Sequence, residues 1–293
     1  MSHHSKEIHP LLSYRHSFHA GNFADVIKHL VLVEILEYLT QKDNPFEYID
    51  THAGGGLFNL GSADAQKLQE HVSGIGKLSP KAFPELSRYF DVVKACNPPG
   101  AREADKLNFY PGSPSIAAYF LRTQDRAWLH ELHPQDHKKL VKTMAKYKKI
   151  RVSCADGFKG LQALLPPVSR RSLVLIDPSY EIKSEYEQAI YAMIKAYKKF
   201  ATGIYVLWYP VVERSRIDML EKKLVQSGIK KIQRFELGIS PDSDERGMTA
   251  SGVFVINSPW TLFDRMSSLL PKLAKALGDG GEGSFKCDVI SGE

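Results

Sequence analysis

The chain has 293 residues, 43% hydrophobic and 25% charged, with 21 glycines and 16 prolines; these are the proportions of a globular chain of one large or two ordinary domains, not of a disordered or fibrous one. Its longest apolar runs, at 30–33 and 173–176, fall far short of the roughly 18 residues of a membrane span, and the polar start MSHHSKEIHP has no apolar stretch of the kind a secretory signal needs. Lys and Arg number 39 against 33 Asp and Glu, a net charge of +6 that favours polyanionic partners, while the three scattered cysteines, Cys96, Cys154 and Cys287, offer neither a disulfide framework nor a zinc spacing, as expected of a protein of the reducing cytosol.

Asn22 can cap a helix in which Val26, Ile27, Leu30, Val33, Ile35 and Leu36 recur at helical spacing up to about Thr40. A short buried strand at 46–50 follows and runs directly into Thr51-His-Ala-Gly-Gly-Gly56. Between 57 and 107 the periodicity is helical twice, at 63–71 and 81–95, with Gly, Ser and Pro at the joints. This stretch predicts a helical subdomain inserted into a domain formed by 1–56 and 108–293. Beyond it, helices at 113–122, 135–146, 157–164, 184–200 and 212–226 alternate with strands at 127–132, 150–154, 173–177 and 204–209, and two more strands are predicted at 231–237 and 252–257. The alternation predicts an α/β fold, a mostly parallel sheet with helices on both faces.

In open parallel sheets ligands lie beyond the carboxyl ends of the strands, and four predicted ends are chemically loaded. Asp50 is followed by three glycines, which let a backbone approach a ligand closely; the loop is not a GxGxxG, which weakens a nicotinamide dehydrogenase reading. Glu131 can accept hydrogen bonds from two neighbouring hydroxyls on its two oxygens, or stand in a surface salt bridge. Asp156-Gly157 can hold an amino group, or cap a helix. Asp177-Pro-Ser-Tyr180 closes a buried strand with a carboxylate, a rigid turn and an aromatic ring. An exocyclic amine on a base is a poor nucleophile because its lone pair is delocalised, and acceptors such as the Asp177 carboxylate and the Pro178 carbonyl favour the charge that develops as it attacks. Tyr180 can stack on the base, worth about 1–3 kcal/mol. Taken alone, the tetrapeptide is equally a plain turn.

Asp177-Pro-Ser-Tyr180 is similar to the D/N-P-P-Y/F/W motif of amino-group methyltransferases. The wider set of stretches resembles the bacterial 23S ribosomal RNA adenine N6-methyltransferases of the RlmJ family: LSYRHSFHAGNFADVIKH at 12–29, YIDTHAGGG at 48–56, YPGSPSIA at 110–117, ELHP at 131–134, ADGF at 155–158, PPVSRR at 166–171, LWYPVV at 207–212 and PDSDERGMTASG at 241–252. The resemblance implies a class I, Rossmann-like S-adenosylmethionine-dependent methyltransferase fold with a helical insertion, methyl transfer to the N6 of one adenine in 23S rRNA, S-adenosylhomocysteine as product and no metal. Position by position it implies catalysis by Asp177, cofactor contacts from His29, His52, Ser113, Glu131, Asp156 and Gly157, and substrate contacts from Tyr14, His16, Lys28, Pro178 and Tyr180. Two departures stand out: Ser179 replaces the usual second proline, and residues 1–10 precede the stretch that carries the likeness, as a disordered lead or the remnant of an upstream start.

Six of the 11 histidines lie within the first 29 residues, but no HExxH or Cys/His spacing supports a metal. Residues 138–151 carry seven Lys or Arg and no acid, a solvated helix face or a phosphate-neutralising one. Two readings compete with rRNA methylation. One is the same reaction on DNA adenine, another base amine or a protein glutamine; the other is a catalytically inactive nucleic-acid-binding or uptake factor on the same fold, against which the strand-end acids argue. Nothing in the sequence calls for an obligate dimer, so a cytoplasmic monomer is expected.

Overall fold

The computed structural model describes residues 15–98, 107–243 and 247–292; the expected lead at 1–10 and the candidate substrate residue Tyr14 lie outside them. Helix α1 (Phe23–Thr40) starts where expected, the Asn22 side chain accepting from the Asp25 N–H at 2.9 Å. It is apolar on nearly every side and buried along almost its whole length, as such a helix must be, packing against the sheet and the helices around it.

Strand β1 (Glu47–Asp50) leads to a short strand β2 (Leu57–Asn59), helices α2 (Ala63–Leu68), α3 (Glu70–Ser73) and α4 (Ser87–Ala95), and strand β3 (Phe109–Pro111), which pairs antiparallel with β2. That two-stranded base, unmarked by any sequence signal, closes the stretch at 57–107. Its predicted helices are shorter than expected. Gln69 takes a left-handed φ of 52° and breaks the first into α2 and α3, and Pro84 opens a single 3-10 turn that delays α4 to Ser87. Leu78, Phe83, Leu86 and Tyr89 join the main core.

The remaining elements are α5 (Ser113–Phe120), β4 (Arg126–His130), α6 (Pro134–Met144), β5 (Ile150–Ser153), α7 (Gly157–Leu164), β6 (Ser172–Ile176), α8 (Ser184–Lys199), β7 (Ile204–Val211), α9 (Arg214–Gln226), β8 (Ile232–Gly238) and β9 (Ala250–Ile256), each close to its predicted place, followed by α10 (Leu262–Leu277) and β10 (Ser284–Ser291), which the sequence pattern does not announce. The eight-stranded sheet has the order β10-β8-β9-β7-β6-β1-β4-β5. Strands β5, β4, β1, β6 and β7 run parallel to one another; β9 is antiparallel to both β7 and β8, and β10 to β8. The chain runs outward from β1 through β4 to β5, then crosses back to β6 on the other side of β1. The crevice between β1 and β6 is therefore the switch point at which ligands bind in such sheets. Among the described residues no helix is long and apolar enough to cross a membrane.

Candidate active site

The carboxyl ends of β1, β4, β5 and β6 bring the loaded residues to one edge of the sheet. Asp50, at the end of β1, is fully buried; it accepts from the Tyr48 hydroxyl and the Ser113 hydroxyl, both at 2.7 Å, and from the His52 N–H at 3.2 Å. Burial raises its pKa against those donors. His52 bonds Thr51 Oγ1 at 2.8 Å through Nδ1, and its ring meets Phe158 edge-on. Burial lowers its pKa to about 4, so it is neutral. Gly54 and Gly56 have φ of +60° and +77°, the left-handed turn that needs glycine. The loop is fastened by the Gly54 N–H, which donates to Glu131 Oε2 at 2.7 Å, while the His133 N–H donates to Oε1 at 2.7 Å. Each Glu131 oxygen keeps a free lone pair, and burial pushes the carboxyl up to about 7.

Asp156 caps α7, Oδ1 accepting from the Phe158 and Lys159 N–H groups; the cap reading and the binding reading hold together, since among the described residues Oδ2 faces no closer partner than Lys159 Nζ at 3.8 Å. Gly157 is glycine for a steric reason: a Cβ there would lie 1.8 Å from the Thr51 carbonyl oxygen. This contact locks the loop after β5 against the loop after β1.

At the end of β6, Asp177 Oδ2 meets the Lys28 ammonium at 2.7 Å, across 149 residues of sequence. Lys28 is buried on α1, reaches Asp25 Oδ1 at 3.0 Å one helical turn away, and lies 5.3 Å from the Trp208 ring centre. Asp25 also takes His16 Nε2 and the Gly21 N–H, both at 2.9 Å. Burial alone would raise Asp25, but His16, Lys28 and His29 hold it well below the carboxylate range. Burial raises Asp177 to about 6 despite the pull of Lys28. Lys28 stays charged, because two carboxylates outweigh its desolvation. Pro178 is buried, and Tyr180, at φ +56°, donates its hydroxyl to the Trp208 carbonyl at 2.5 Å and packs on Tyr186 at 4.3 Å between ring centres.

The structure thus joins His16, Lys28 and Asp177 into one chain through Asp25, a residue the sequence reading passed over. Its signal was available: Asp25 lies three positions before Lys28 and four before His29, on one helix face. His29 borders that chain, its Nε2 3.7 Å from Asp25 Oδ1. It is buried, bonds the Tyr110 hydroxyl at 2.8 Å, and through it reaches Tyr89; burial lowers its pKa to about 3. Ser113 spends its hydroxyl on Asp50 but opens α5; Pro114 has no N–H and those of Ser115 and Ile116 donate to the Gly112 carbonyl, which leaves the Ser113 N–H to face a ligand. Among the described residues no three His, Cys, Asp or Glu are grouped as a metal site would require.

The switch-point crevice, the glycine turn and the acids at successive strand ends define a class I methyltransferase fold. Comparison with known proteins narrows the class. A family model described as ribosomal RNA large subunit methyltransferase D, RlmJ, matches residues 43–291. The ribosomal RNA large subunit methyltransferase J of Haemophilus influenzae is 48% identical over 285 residues, 97% of this chain and 100% of that one; its namesake from Escherichia coli K12 is 50% identical over 275 residues, 93% of this chain and 96% of that one. A crystal structure of a Legionella pneumophila protein superposes with a TM-score of 0.83 at 39% identity, covering 92% of this chain and 98% of the other. The chain belongs to the RlmJ family.

Proposed function

We propose that the chain transfers a methyl group from S-adenosylmethionine to the exocyclic N6 of an adenine in 23S ribosomal RNA. The names of the relatives support an rRNA substrate; the observation that carries the adenine amine is the Asp177 carboxylate, placed by Lys28 at the end of β6 beside Pro178 and Tyr180. When bound, the cofactor supplies an electrophilic methyl on a sulfonium. The residues at the strand ends fit it: Glu131, with a lone pair left on each oxygen, suits a ribose diol; Asp156 Oδ2 suits an adenine amine; the Ser113 N–H at the start of α5 suits a carboxylate oxygen. His52, whose ring meets Phe158 of α7, and Gly157, packed on the Thr51 carbonyl, would line the same edge, and the resemblance adds His29 of α1.

Asp177 Oδ1 accepts an N–H of the target amine, since Oδ2 is engaged by Lys28. With a pKa of about 6, Asp177 is largely ionised at pH 7. Drawing one N–H toward the carboxylate, with the Pro178 carbonyl as second acceptor, localises the nitrogen lone pair for attack. As the N–C bond forms and the methyl–sulfur bond breaks, its electron pair staying on sulfur as a neutral thioether, the target nitrogen would become cationic, and its proton would pass to Asp177, already hydrogen-bonded to it. His16, Tyr14 and Tyr180 complete the substrate side. If the adenine is stacked or paired in its RNA, extruding it costs a few kcal/mol.

The test is transfer of labelled methyl from S-adenosylmethionine to protein-free 23S rRNA from a strain lacking this protein, with Asp177→Ala alongside. Label in a single N6-methyladenosine, absent in the variant, is expected. Label in DNA or in another base would overturn the assignment of substrate.

A further inference from the structure

We propose that Glu185 is a positioning residue of the turn that carries Asp177, acting through the hydroxyl of Ser179; this rests on the reaction proposed above. Tyr180 holds a left-handed φ of +56°, which a bulky side chain adopts only when its surroundings impose it. On one side the imposing contact is plain: the Tyr180 hydroxyl on the Trp208 carbonyl and its ring on Tyr186. On the other side stands Glu185, half-buried in the first turn of α8. Its Oε2 accepts from Ser179 Oγ at 3.3 Å, and its own N–H closes the loop onto the Ile182 carbonyl at 2.8 Å. Glu185 thus ties into the turn twice, by its carboxylate to Ser179 and by its N–H to Ile182.

Ser179 sits where the motif ordinarily has a second proline. Proline fixes its own φ and offers no donor; serine gives up that restraint and supplies a hydroxyl instead. In this chain the lost rigidity is replaced by a side-chain tie from Ser179 to the start of α8. An acid in a first helical turn also stabilises the helix by itself, and that role would be indifferent to residue 179. The two roles separate in a cycle of substitutions.

The variants are Glu185→Ala, Glu185→Gln, Ser179→Ala, Ser179→Pro and Ser179→Pro with Glu185→Ala, assayed for kcat and KM on 23S rRNA and, independently of turnover, for amide hydrogen exchange over 177–183. Glu185→Ala and Ser179→Ala should each lower kcat three- to tenfold with KM within twofold, and accelerate exchange in that segment; Glu185→Gln, which keeps an acceptor oxygen, should recover most of the loss. Ser179→Pro should stay within tenfold of the parent and shrink the effect of Glu185→Ala at least threefold on both readouts. Equal effects of Glu185→Ala in the parent and in the Ser179→Pro variant would overturn the proposal, as would unchanged exchange in the single variant. Should the unaltered protein methylate no RNA at all, the reaction fails and exchange alone decides the tie.

Discussion

Replacing Lys28 by Met tests the centre of the site. The ammonium lies 2.7 Å from Asp177 and 3.0 Å from Asp25, its side chain 4% exposed. Removing one partner from a buried ion pair costs about 3–5 kcal/mol, within the roughly 5–15 kcal/mol by which native domains are stable, so the variant should fold with a lowered urea midpoint. The sharper effect is on Asp177. A unit charge at about 4 Å through an effective dielectric near 20 is worth about 4 kcal/mol, and about 1.4 kcal/mol moves a pKa by one; allowing for water entry, Asp177 should rise from about 6 to roughly 8. Its folded value already exceeds the ordinary 3.8, so its contribution to stability is complete below about 4 and lost as pH rises through about 6. In Lys28→Met that window extends to roughly 8, and the stability deficit is smallest in acid. Methyl transfer runs the other way, because it needs the ionised form. Single-turnover rates from pH 5.5 to 9 should show the acid limb moving up by about two, with about tenfold loss at pH 7 regained by pH 9. An unmoved limb with equal loss at every pH would refute the reasoning.

Glu131→Gln leaves one acceptor oxygen for the two N–H donors of Gly54 and His133; calorimetry should show S-adenosylmethionine affinity down 10–100-fold, the worth of about 1.5–3 kcal/mol for bonds to a charged group, and a change under threefold would remove Glu131 from the cofactor site. Wild-type affinity should also rise as Glu131 ionises through about 7, and Glu131→Gln should lose that rise. Gly157→Ala meets a backbone oxygen at 1.8 Å, Gly160→Ala the end of the His130 ring at 2.1 Å; overpacking costs about 1–3 kcal/mol, and thermal unfolding should put Gly157→Ala clearly lower, equal Tm values counting against a backbone lock. Helix α6 packs on the glycine loop through Thr143, which donates to the Gly55 carbonyl, and the basic run it opens exposes Lys138, Lys142 and Lys146. Reversing those three charges should weaken RNA binding and flatten its salt slope by about 2–3; unchanged binding would make the run merely solubilising.

What was legible in the sequence was whatever depends on local pattern. The apolar runs at 46–50 and 173–177, the Asn22 cap and the acid after each strand placed the sheet and its loaded edge to within a residue or two. What escaped depends on distant contacts. The C-terminal helix α10 carries Leu262, Met266, Leu269, Leu270 and Leu273 on one buried side, but Pro271 within it reads as a break. Edge strand β10 is only partly buried and lacks a clean alternation. The break at Gln69 has no glycine to announce it. No spacing rule could pair Lys28 with Asp177, since only the packing of α1 on the sheet, over β8 and β9, closes that gap. Ser179 was visible as a departure; that its hydroxyl has a partner in Glu185 was not.

The distribution of charge bears on how such a site would turn over. Asp25, Asp50, Glu131, Asp156 and Asp177 gather near the crevice, and Lys28 among them is the one buried lysine of the described residues, although the chain as a whole carries +6. Asp50 is quieted by the hydroxyls of Tyr48 and Ser113 rather than by a counter-ion. An interior with more acids than bases favours a cationic ligand, while the basic exterior favours a polyanion. On the proposed reaction both preferences are met, by a sulfonium within and RNA without. Transfer of the methyl leaves a neutral thioether, so the acids that help bind the cofactor hold its product less firmly. The same carboxylates would then assist binding and release, and a salt-independent preference for S-adenosylmethionine over S-adenosylhomocysteine in calorimetry is the consequence to look for, because buried charges are screened far less than exposed ones.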